Sequence, residues 1–546
     1  LEFSPERAGL PLTISALGQQ EGVTVFQATG EAKVGGEVEL VASFCGDGVV
    51  QLGQEECDDK NRNNNDRCSE QCKIEFCGDG ITNNQNEQCD DGENANNDGC
   101  SSECQLEACG DGVVNLFEAC DDGNNIDDDG CDADCTGPEV VQVVTGSGFT
   151  CALLDLGTVR CWGNNNVGQL GYGNTERIGD DELPSQAGDV PIGGKVVQLA
   201  AGENHACALL DIGKLRCWGK NTFGQLGYGN TLNVGDNETP ASKGDVPIVG
   251  TVKQIALGGE HTCVLLVEGT VRCWGKNNLG QLGYGNTTTI GDNEAPPTTD
   301  VNVGGVVQQL ALGEAHTCVL LTNGNVRCWG DSKRLGYGNA STIGNIGDNE
   351  TPASAGDVDL GNQSVAQISA SSRNTCVLFS GENDVTCWGD FRFLDISNFG
   401  TVGVLGFGFD VGVVGDDEDP LGDMPLGVDV AQVAAGGGIS CVLSIANTVR
   451  CWGGAEIIGA KEFGIGYGNT LAIGDDETPA SVGDIEVGAP VVQVSVGGTH
   501  VCVVTDVGKV RCWGVGGVGQ LGYGSTNQIG DDEVPATAGD VDVTGL

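Results

Sequence analysis

The sequence contains one methionine, four histidines and only 5% aromatic residues in 546 positions. Bases are scarce as well, 25 against 78 acids, for a formal net charge of −53. A surface this acidic repels phosphate backbones, which excludes nucleic acid as a partner, and it disfavours anionic membrane surfaces. No run of about 18 apolar residues occurs, so no segment reads as membrane-spanning. Phosphate loops, nucleophile elbows and paired-histidine hydrolase motifs are missing too, and with them the usual signs of an enzyme. The chain begins at Leu1 with neither Met nor an apolar leader, as a processed mature form or an incomplete end would.

What the chain does have is glycine, 91 residues, and cysteine, 26 residues, with a 39% hydrophobic fraction sufficient for a packed core. An even cysteine count at regular spacings points to disulfides and an oxidising compartment, hence an extracellular or cell-surface location. Charge and cysteine divide the chain at the same place. Residues 45–135 hold 12 cysteines and 25 acids against four bases, a net of −21. The residues that follow carry a net of −28 and 14 cysteines in seven close pairs. Cations are the natural partners of such a surface.

Seven tryptophans (162, 218, 274, 329, 388, 452 and 513) all stand in Cys-Trp-Gly, 55 to 64 residues apart. Each has a partner cysteine ten or eleven positions upstream: Cys151/Cys161, Cys207/Cys217, Cys263/Cys273, Cys318/Cys328, Cys376/Cys387, Cys441/Cys451 and Cys502/Cys512. Short β-rich runs alternate with Gly and Asn turns, without helical periodicity. Folding Thr262–Leu266 back onto Val271–Trp274 about residue 268 sets Cys263 opposite Cys273, close enough for a disulfide within one hairpin. Seven units of about four strands each predict an all-β, seven-bladed β-propeller over 140–546, one hairpin disulfide per blade. The strand Gly539–Val543, left over at the end, is expected to pair into the first blade and close the ring.

These units resemble the regulator-of-chromosome-condensation repeat, in its bacterial secreted form with a cysteine pair per blade. The resemblance rests on His-Thr-Cys, Val-Arg-Cys-Trp-Gly, Gly-Gln-Leu-Gly-Tyr-Gly-Asn-Thr and Ile-Gly-Asp-Asn-Glu-x-Pro. It is specific for fold and broad for function, because the family includes a nuclear exchange factor, protein inhibitors of β-lactamases and surface proteins.

Residues 45–135 form a second repeat, in copies 45–76, 77–108 and 109–135, whose first cysteines are spaced by 32 residues. Each copy reads Cys-Gly-Asp-Gly, then Glu-x-Cys-Asp-Asp, then an Asn/Asp-rich loop ending in Asp before the third cysteine. A module of this size cannot bury a core, so crosslinks or metal must hold it. Ca²⁺ takes six to eight oxygens from carboxylates, amides and carbonyls. Asn125-x-Asp127-x-Asp129-Gly130 and Asn94-x-Asn96-x-Asp98-Gly99 follow the start of a calcium loop. Asp47, Asp79 and Asp111 recur in the Gly-Asp-Gly turns, and Glu55, Glu87 and Glu118 recur two residues before the second cysteine. Asp58, Asp90 and Asp121 follow that cysteine, and Asp66 completes the candidate calcium ligands. In the first copy Arg62 and Arg67 stand where ligand-type residues or Gly are expected. The bland alternative is a solvated acidic linker whose Asp and Asn cap turns; solvation alone needs no register. The repeats resemble the cysteine-rich repeat of myxobacterial surface proteins, which is similar to the calcium-binding modules of Notch-type receptors.

Weaker signals have two readings. An acidic turn recurs in each unit, as Gly179-Asp180-Asp181-Glu182 and counterparts starting at Gly235, Gly291, Gly347, Gly415, Gly474 and Gly530. Cation binding and side-chain capping of turn N–H groups both explain it. The histidines (205, 261, 316 and 500) share one slot, two residues before a hairpin cysteine, filled elsewhere by Phe149, Asn374 and Ile439. A slot repeated around a ring reads as packing rather than catalysis. The fifth unit carries an insertion with Phe391, Phe393 and Phe399 as candidate interface residues.

Residues 1–44 contain short strand patterns at Leu12–Ile14, Val23–Phe26 and Gly36–Val41. So small a segment must add to a sheet, as a possible donor strand to its own propeller or to a neighbour's. Donation to a neighbour gives a head-to-tail homopolymer. The sequence therefore reads as a non-enzymatic extracellular structural or interaction protein, a self-assembling surface-fibre or adhesion subunit with a calcium-stiffened linker. The alternative is a monomeric secreted propeller that binds or inhibits another extracellular protein.

Overall fold

In the computed structural model the backbone of residues 12–20, 23–32 and 41–43 is described, together with scattered positions of 46–135. Residues 136–545 are described except 339–344, 382–383, 391, 396–399, 404–412, 415–419, 421, 455–463 and 475. The chain forms two units, Leu1–Gly137 and Pro138–Leu546.

The larger unit is all-β: seven antiparallel sheets succeed one another as the blades of a propeller. Their three strands lie within 140–163, 196–219, 252–275, 307–330, 365–390, 430–453 and 491–514. The expected four strands per blade are reduced, because the fourth contributes a single bridge in six blades, such as Gly163↔Ile178. The fifth blade has a true fourth strand, Val413–Val414.

Numbering the strands along the chain, β1 is Leu12–Gln20, β2 Val23–Ala32 and β3 Val41–Ser43, while the first blade holds β4 Val140–Thr145, β5 Phe149–Leu154 and β6 Val159–Gly163. All six residues of β5 are buried, as in a middle strand covered on both faces. Its register sets Cys151 directly opposite Cys161, Cα atoms 4.0 Å apart, and the two are disulfide-bonded. The other six blades repeat this staple at Cα separations of 4.0–4.1 Å: Cys207–Cys217, Cys263–Cys273, Cys318–Cys328, Cys376–Cys387, Cys441–Cys451 and Cys502–Cys512. In the fifth blade one extra residue lies in the hairpin turn, yet Cys376 still stands opposite Cys387. Glycine must follow each Cys-Trp. Gly163 has φ +110°, and a Cβ there would lie 2.6 Å from the Gly148 carbonyl oxygen.

Every blade tryptophan is fully buried. Trp218, Trp274 and Trp329 donate from Nε1 to the carbonyls of Gln169, Gln225 and Gln281 in the preceding blade. A glutamine in the first strand of each blade grips the next blade's backbone: Gln142 accepts from Leu199 N–H at 2.9 Å and donates to its carbonyl at 3.1 Å. Gln493 completes the circle on Val143, at 2.8 and 3.1 Å.

The last strand closes the ring in a different manner from the expectation. Val541 pairs with Val510 of the seventh blade, as Val190 N–H bonds to Val159 within the first. It reaches the first blade through the Arg160 guanidinium on the Val543 carbonyl and through Ser185 N–H on the Asp542 carbonyl at 3.1 Å. Each Gly-Asp-Val segment thus belongs to the blade before it and props the blade after it.

In the smaller unit β1, β2 and β3 pair with one another, β2 in the middle. The segment expected as a donor strand is therefore a three-stranded sheet. In the cysteine-rich repeats the disulfides nest, Cys77–Cys104 around Cys89–Cys100 and Cys109–Cys135 around Cys120–Cys131. The first repeat has Cys57–Cys68, and Cys45 lies outside the described residues. The pairing, open from sequence, is first to fourth and second to third.

Candidate interaction faces and cation sites

The aspartate after each second cysteine organises its repeat. Asp121 Oδ2 accepts from Gly110 N–H at 2.8 Å, and its Oδ1 accepts from Gly112 and Gly123 N–H at 2.8 and 2.7 Å. Asp58 does the same for Gly46, Gly48 and Lys60, and Asp90 for Gly78 and Gly92. A carboxylate collecting several backbone N–H groups fixes a turn, so these three expected calcium ligands have a structural duty of their own. Glu55 with Asp58, and Glu118 with Asp121, bring carboxylate oxygens within 4.8 Å of each other. The cysteine sulfurs beside them, Cys72 and Cys135, are in disulfides and are not ligands. Asn125 is exposed, its Oδ1 lying over the Gly110 turn. Asp47, Asp66, Asp79, Glu87, Asn94, Asn96, Asp98, Asp111, Asp127 and Asp129 lie outside the described residues. The described donors are hard carboxylate oxygens, the chemistry Ca²⁺ prefers.

The blade cysteines are structural in every case. Cys161, Cys217, Cys273, Cys328, Cys387, Cys451 and Cys512, each beside a buried tryptophan, are fully buried, and so are their partners on the middle strands. Oxidised and shut off from solvent, they offer no thiolate to a metal or a substrate.

Acidic turns of the described blades also have a packing duty, while the turn starting at Gly415 lies outside the described residues. Two of the described turns lie on the loop of the preceding blade: Gly173 N–H donates to the Gly235 carbonyl at 2.9 Å, and Ser525 N–H to that of Gly179 at 3.2 Å. Asp180, Asp181 and Glu182 cluster, as do Asp531, Asp532 and Glu533. Burial first, then the neighbouring Asp532 and Asp531, push the Glu533 carboxyl up to about 7.

The histidine slot is a blade-to-blade joint. His205, His261, His316 and His500 are fully buried, with Nε2 within 2.8–3.1 Å of a threonine hydroxyl in the next blade: Thr262, Thr317, Thr375 and Thr150. Three of those hydroxyls, Thr262, Thr317 and Thr150, also bond to a glutamine carbonyl, which can only accept. Each such hydroxyl therefore donates there and receives the imidazole Nε2–H. Burial holds His205, His261 and His500 down to about 3, so they are neutral. In the fifth blade Asn374 Nδ2 donates to Ser440 Oγ at 3.0 Å. The sequence signal for this joint was the paired variation of two slots, which reading the histidines alone misses.

Six tyrosines tie strand to loop. The Tyr172 hydroxyl accepts from Cys161 N–H at 3.2 Å and donates to the Gly188 carbonyl at 3.0 Å, and burial pushes it up to about 12.

The blade turns between first and second strands surround a central cavity of about 370 Å³. One equivalent position in each turn gives Ser147, Glu203, Gly259, Glu314, Ser372, Gly437 and Gly498. The mouth is lopsided, charged over blades two to five and glycine-rich over six, seven and one. A Cβ at Gly259 would sit 3.1 Å from Glu314 Cγ and 3.2 Å from Glu203 Cδ, so glycine there leaves room for both acids. Burial, then Glu314 and Glu260, raises the Glu203 carboxyl above its ordinary value. Glu260 is gripped by Lys220 and Lys276, both at 2.6 Å, and the Lys276 ammonium sits 4.9 Å from the Phe223 ring centre.

Of the fifth-blade aromatics, Phe391 and Phe399 lie outside the described residues. Phe393 is in a separate two-stranded hairpin, Arg392–Asp395 with Gly400–Gly403, where it pairs with Val402.

The fold and its repeats define a propeller of the regulator-of-chromosome-condensation type. The chain carries regulator of chromosome condensation (RCC1) repeats, matched at 140–169, 196–225, 252–281, 307–334 and 491–520 by one repeat model and at 157–209, 213–265 and 268–320 by another. Residues 42–73, 69–105 and 106–136 match a domain of unknown function, DUF4215. The ultraviolet-B receptor UVR8 of Arabidopsis thaliana is 29% identical over 401 residues, 71% of this chain and 80% of that protein. The E3 ubiquitin-protein ligase HERC2 of Homo sapiens is 29% identical over 381 residues, 68% of this chain but only 7% of that ligase. Among solved structures, yeast RCC1 (Prp20) bound to Kap60 superposes with a TM-score of 0.53 at 20% identity, over 75% of this chain and 86% of that one. Human WBSCR16 gives 0.50 at 21% identity, over 66% and 84%.

Twelve disulfides among the described residues mark an oxidising environment. No described helix is long and apolar enough to cross a membrane.

Proposed function

We propose that this protein is a non-enzymatic extracellular interaction protein that assembles head to tail into a surface fibre, with calcium stiffening the cysteine-rich repeats. The observation that carries this reading is the self-sufficiency of the propeller. Its ring is joined by Gln493 on Val143 and His500 on Thr150, so it needs no strand from residues 1–44. Residues 12–43 form a small sheet of their own, and a segment this small gains stability by packing against a partner. The carboxylate pairs Glu55/Asp58 and Glu118/Asp121 support calcium at the repeats.

A second reading, a monomeric secreted binder or inhibitor, is favoured by the lopsided channel mouth, where Glu203, Glu314 and the Lys220–Glu260–Lys276 bridge give one half a recognisable charge pattern. Light scattering of the full chain in calcium and then in chelator separates the two. Mass rising with concentration in calcium supports the fibre, and a monomer under both conditions supports the binder.

A further inference from the structure

The propeller face opposite the channel mouth is built where each hairpin tip meets the first strand of the next blade. The Gly508 carbonyl accepts from Val140 N–H at 2.9 Å, that of Gly157 from Val196 at 2.8 Å and that of Gly269 from Val307 at 2.9 Å. Aliphatic side chains stand in solvent along this seam. Val492, Val141 and Val197 lie at strand starts and Val507, Ile212 and Val267 at hairpin tips, all 51–69% exposed. They form an arc over blades seven, one, two and three in succession. Within it Val141 and Val197, with Leu153 and Leu209 beneath, line a groove of about 420 Å³.

Six side chains exposed to this degree offer on the order of 600 Å² of surface, as much as the largest apolar patch of an ordinary monomer. Two such arcs set face to face remove on the order of 1,200 Å² from water, the size at which stable, specific interfaces begin. The arc is therefore large enough to hold a copy of itself.

Charge points to the same partner. On the arc, tips and strand starts carry Lys195, Lys214, Lys253 and Lys509 against Glu139, Asp155, Asp211, Glu268 and Asp506. Four bases and five acids leave a net of −1, whereas residues 136–546 as a whole carry −28 and the chain −53. A cationic partner gains most at the acidic turns and the cysteine-rich repeats, and little here. Two copies of this chain repel each other across every acidic surface, and they meet at least cost where net charge is near zero. A two-fold contact places the same patch on both sides, so apolar surface meets apolar surface.

We infer that the aliphatic arc of blades seven, one, two and three is a dimer contact, seated on the same arc of a second copy. The contact uses no residue of 1–44 and no calcium, so it goes beyond head-to-tail assembly and does not depend on it. Burial of the aliphatic side chains holds it. Salt strengthens it, by screening the repulsion between two acidic copies.

The test is sedimentation of the full chain in chelator, which sets calcium-dependent assembly aside. Wild type is compared with Val197→Glu/Ile212→Glu and with Leu232→Glu, a control at an exposed loop residue away from the arc. Wild type and control are expected to pass from one copy to two as concentration rises, and sooner in high salt. The arc variant should need at least about tenfold more protein to pair, with the melting temperature of the control. Val507→Glu, on another blade, takes its place if the double variant fails to fold. A photo-crosslinking residue at Val197, with unlabelled and isotope-labelled copies mixed, is expected to join the arc of the other copy. A crosslink to residues 1–44 or to the channel mouth of the other copy would overturn the proposal, as would a wild type that stays single in chelator. Assembly that appears only with calcium, and equally in the arc variant, would overturn the arc and leave head-to-tail assembly standing.

Discussion

His500 Nε2 lies 2.8 Å from Thr150 Oγ1, a buried hydrogen bond that joins the last blade to the first. It is one position of a matched series. Where the first partner is polar the second is polar, as in His205/Thr262 and Asn374/Ser440. Where the first is apolar so is its counterpart: Ile439 is followed by Val501 in the equivalent slots, and Phe149 by Ala206. Each seam is thus matched in polarity across its two slots, so no buried imidazole or amide in this slot faces an apolar counterpart.

Thr150→Val should leave the His500 Nε2–H without an acceptor and cost about 1–3 kcal/mol. Adding His500→Leu should recover most of that loss, because the protein itself uses apolar pairs in this slot. Urea unfolding of both singles and the double closes the cycle; additive losses would show that the two residues do not act as a pair.

Acid should weaken the propeller from below about pH 6.5. Burial holds three histidines at about 3 and His316 well below its ordinary value. The unfolded chain therefore binds protons that the folded chain refuses, and stability falls as pH drops, by about 1.4 kcal/mol per unit for each histidine. Glu533, raised to about 7, acts in the opposite sense, its contribution full below its unfolded value and lost as pH rises through 7. Melting temperatures between about pH 4 and 8 should show the histidine slope winning, and His205→Gln should flatten it.

Gln493→Leu should strand the Val143 N–H and C=O, the pair by which the glutamine ring closes. A loss of about 1–3 kcal/mol is expected, with amide exchange speeding first at the seam between blades seven and one. Exchange rising evenly over all blades would argue against a specific closure.

Asp121→Ala removes the acceptor for Gly110, Gly112 and Gly123 N–H together. The third repeat should become sensitive to proteolysis with both disulfides, Cys109–Cys135 and Cys120–Cys131, still formed. Protease resistance equal to wild type would show that the crosslinks alone hold the turn.

Blade number, hairpin register and disulfide partners were legible because they repeat seven times at fixed spacing around Cys-Trp-Gly. The pairing of Cys263 with Cys273 follows from strand geometry alone. The joints between blades were less legible, since a contact such as Gln142 with Leu199 spans 57 residues and leaves no local pattern. The same holds for Asp58, Asp90 and Asp121, where an acid that fixes a turn and one that binds a cation look identical in sequence. The pairing of Val541 with Val510 of the seventh blade rather than with the first blade depends on packing direction, which composition does not encode.

The most direct measurement is an electron micrograph of the purified full-length protein in millimolar calcium. Filaments with a regular disc-like repeat, shortened or lost in chelator, are the predicted result. Separate single particles at every concentration, unchanged by calcium, would contradict head-to-tail assembly.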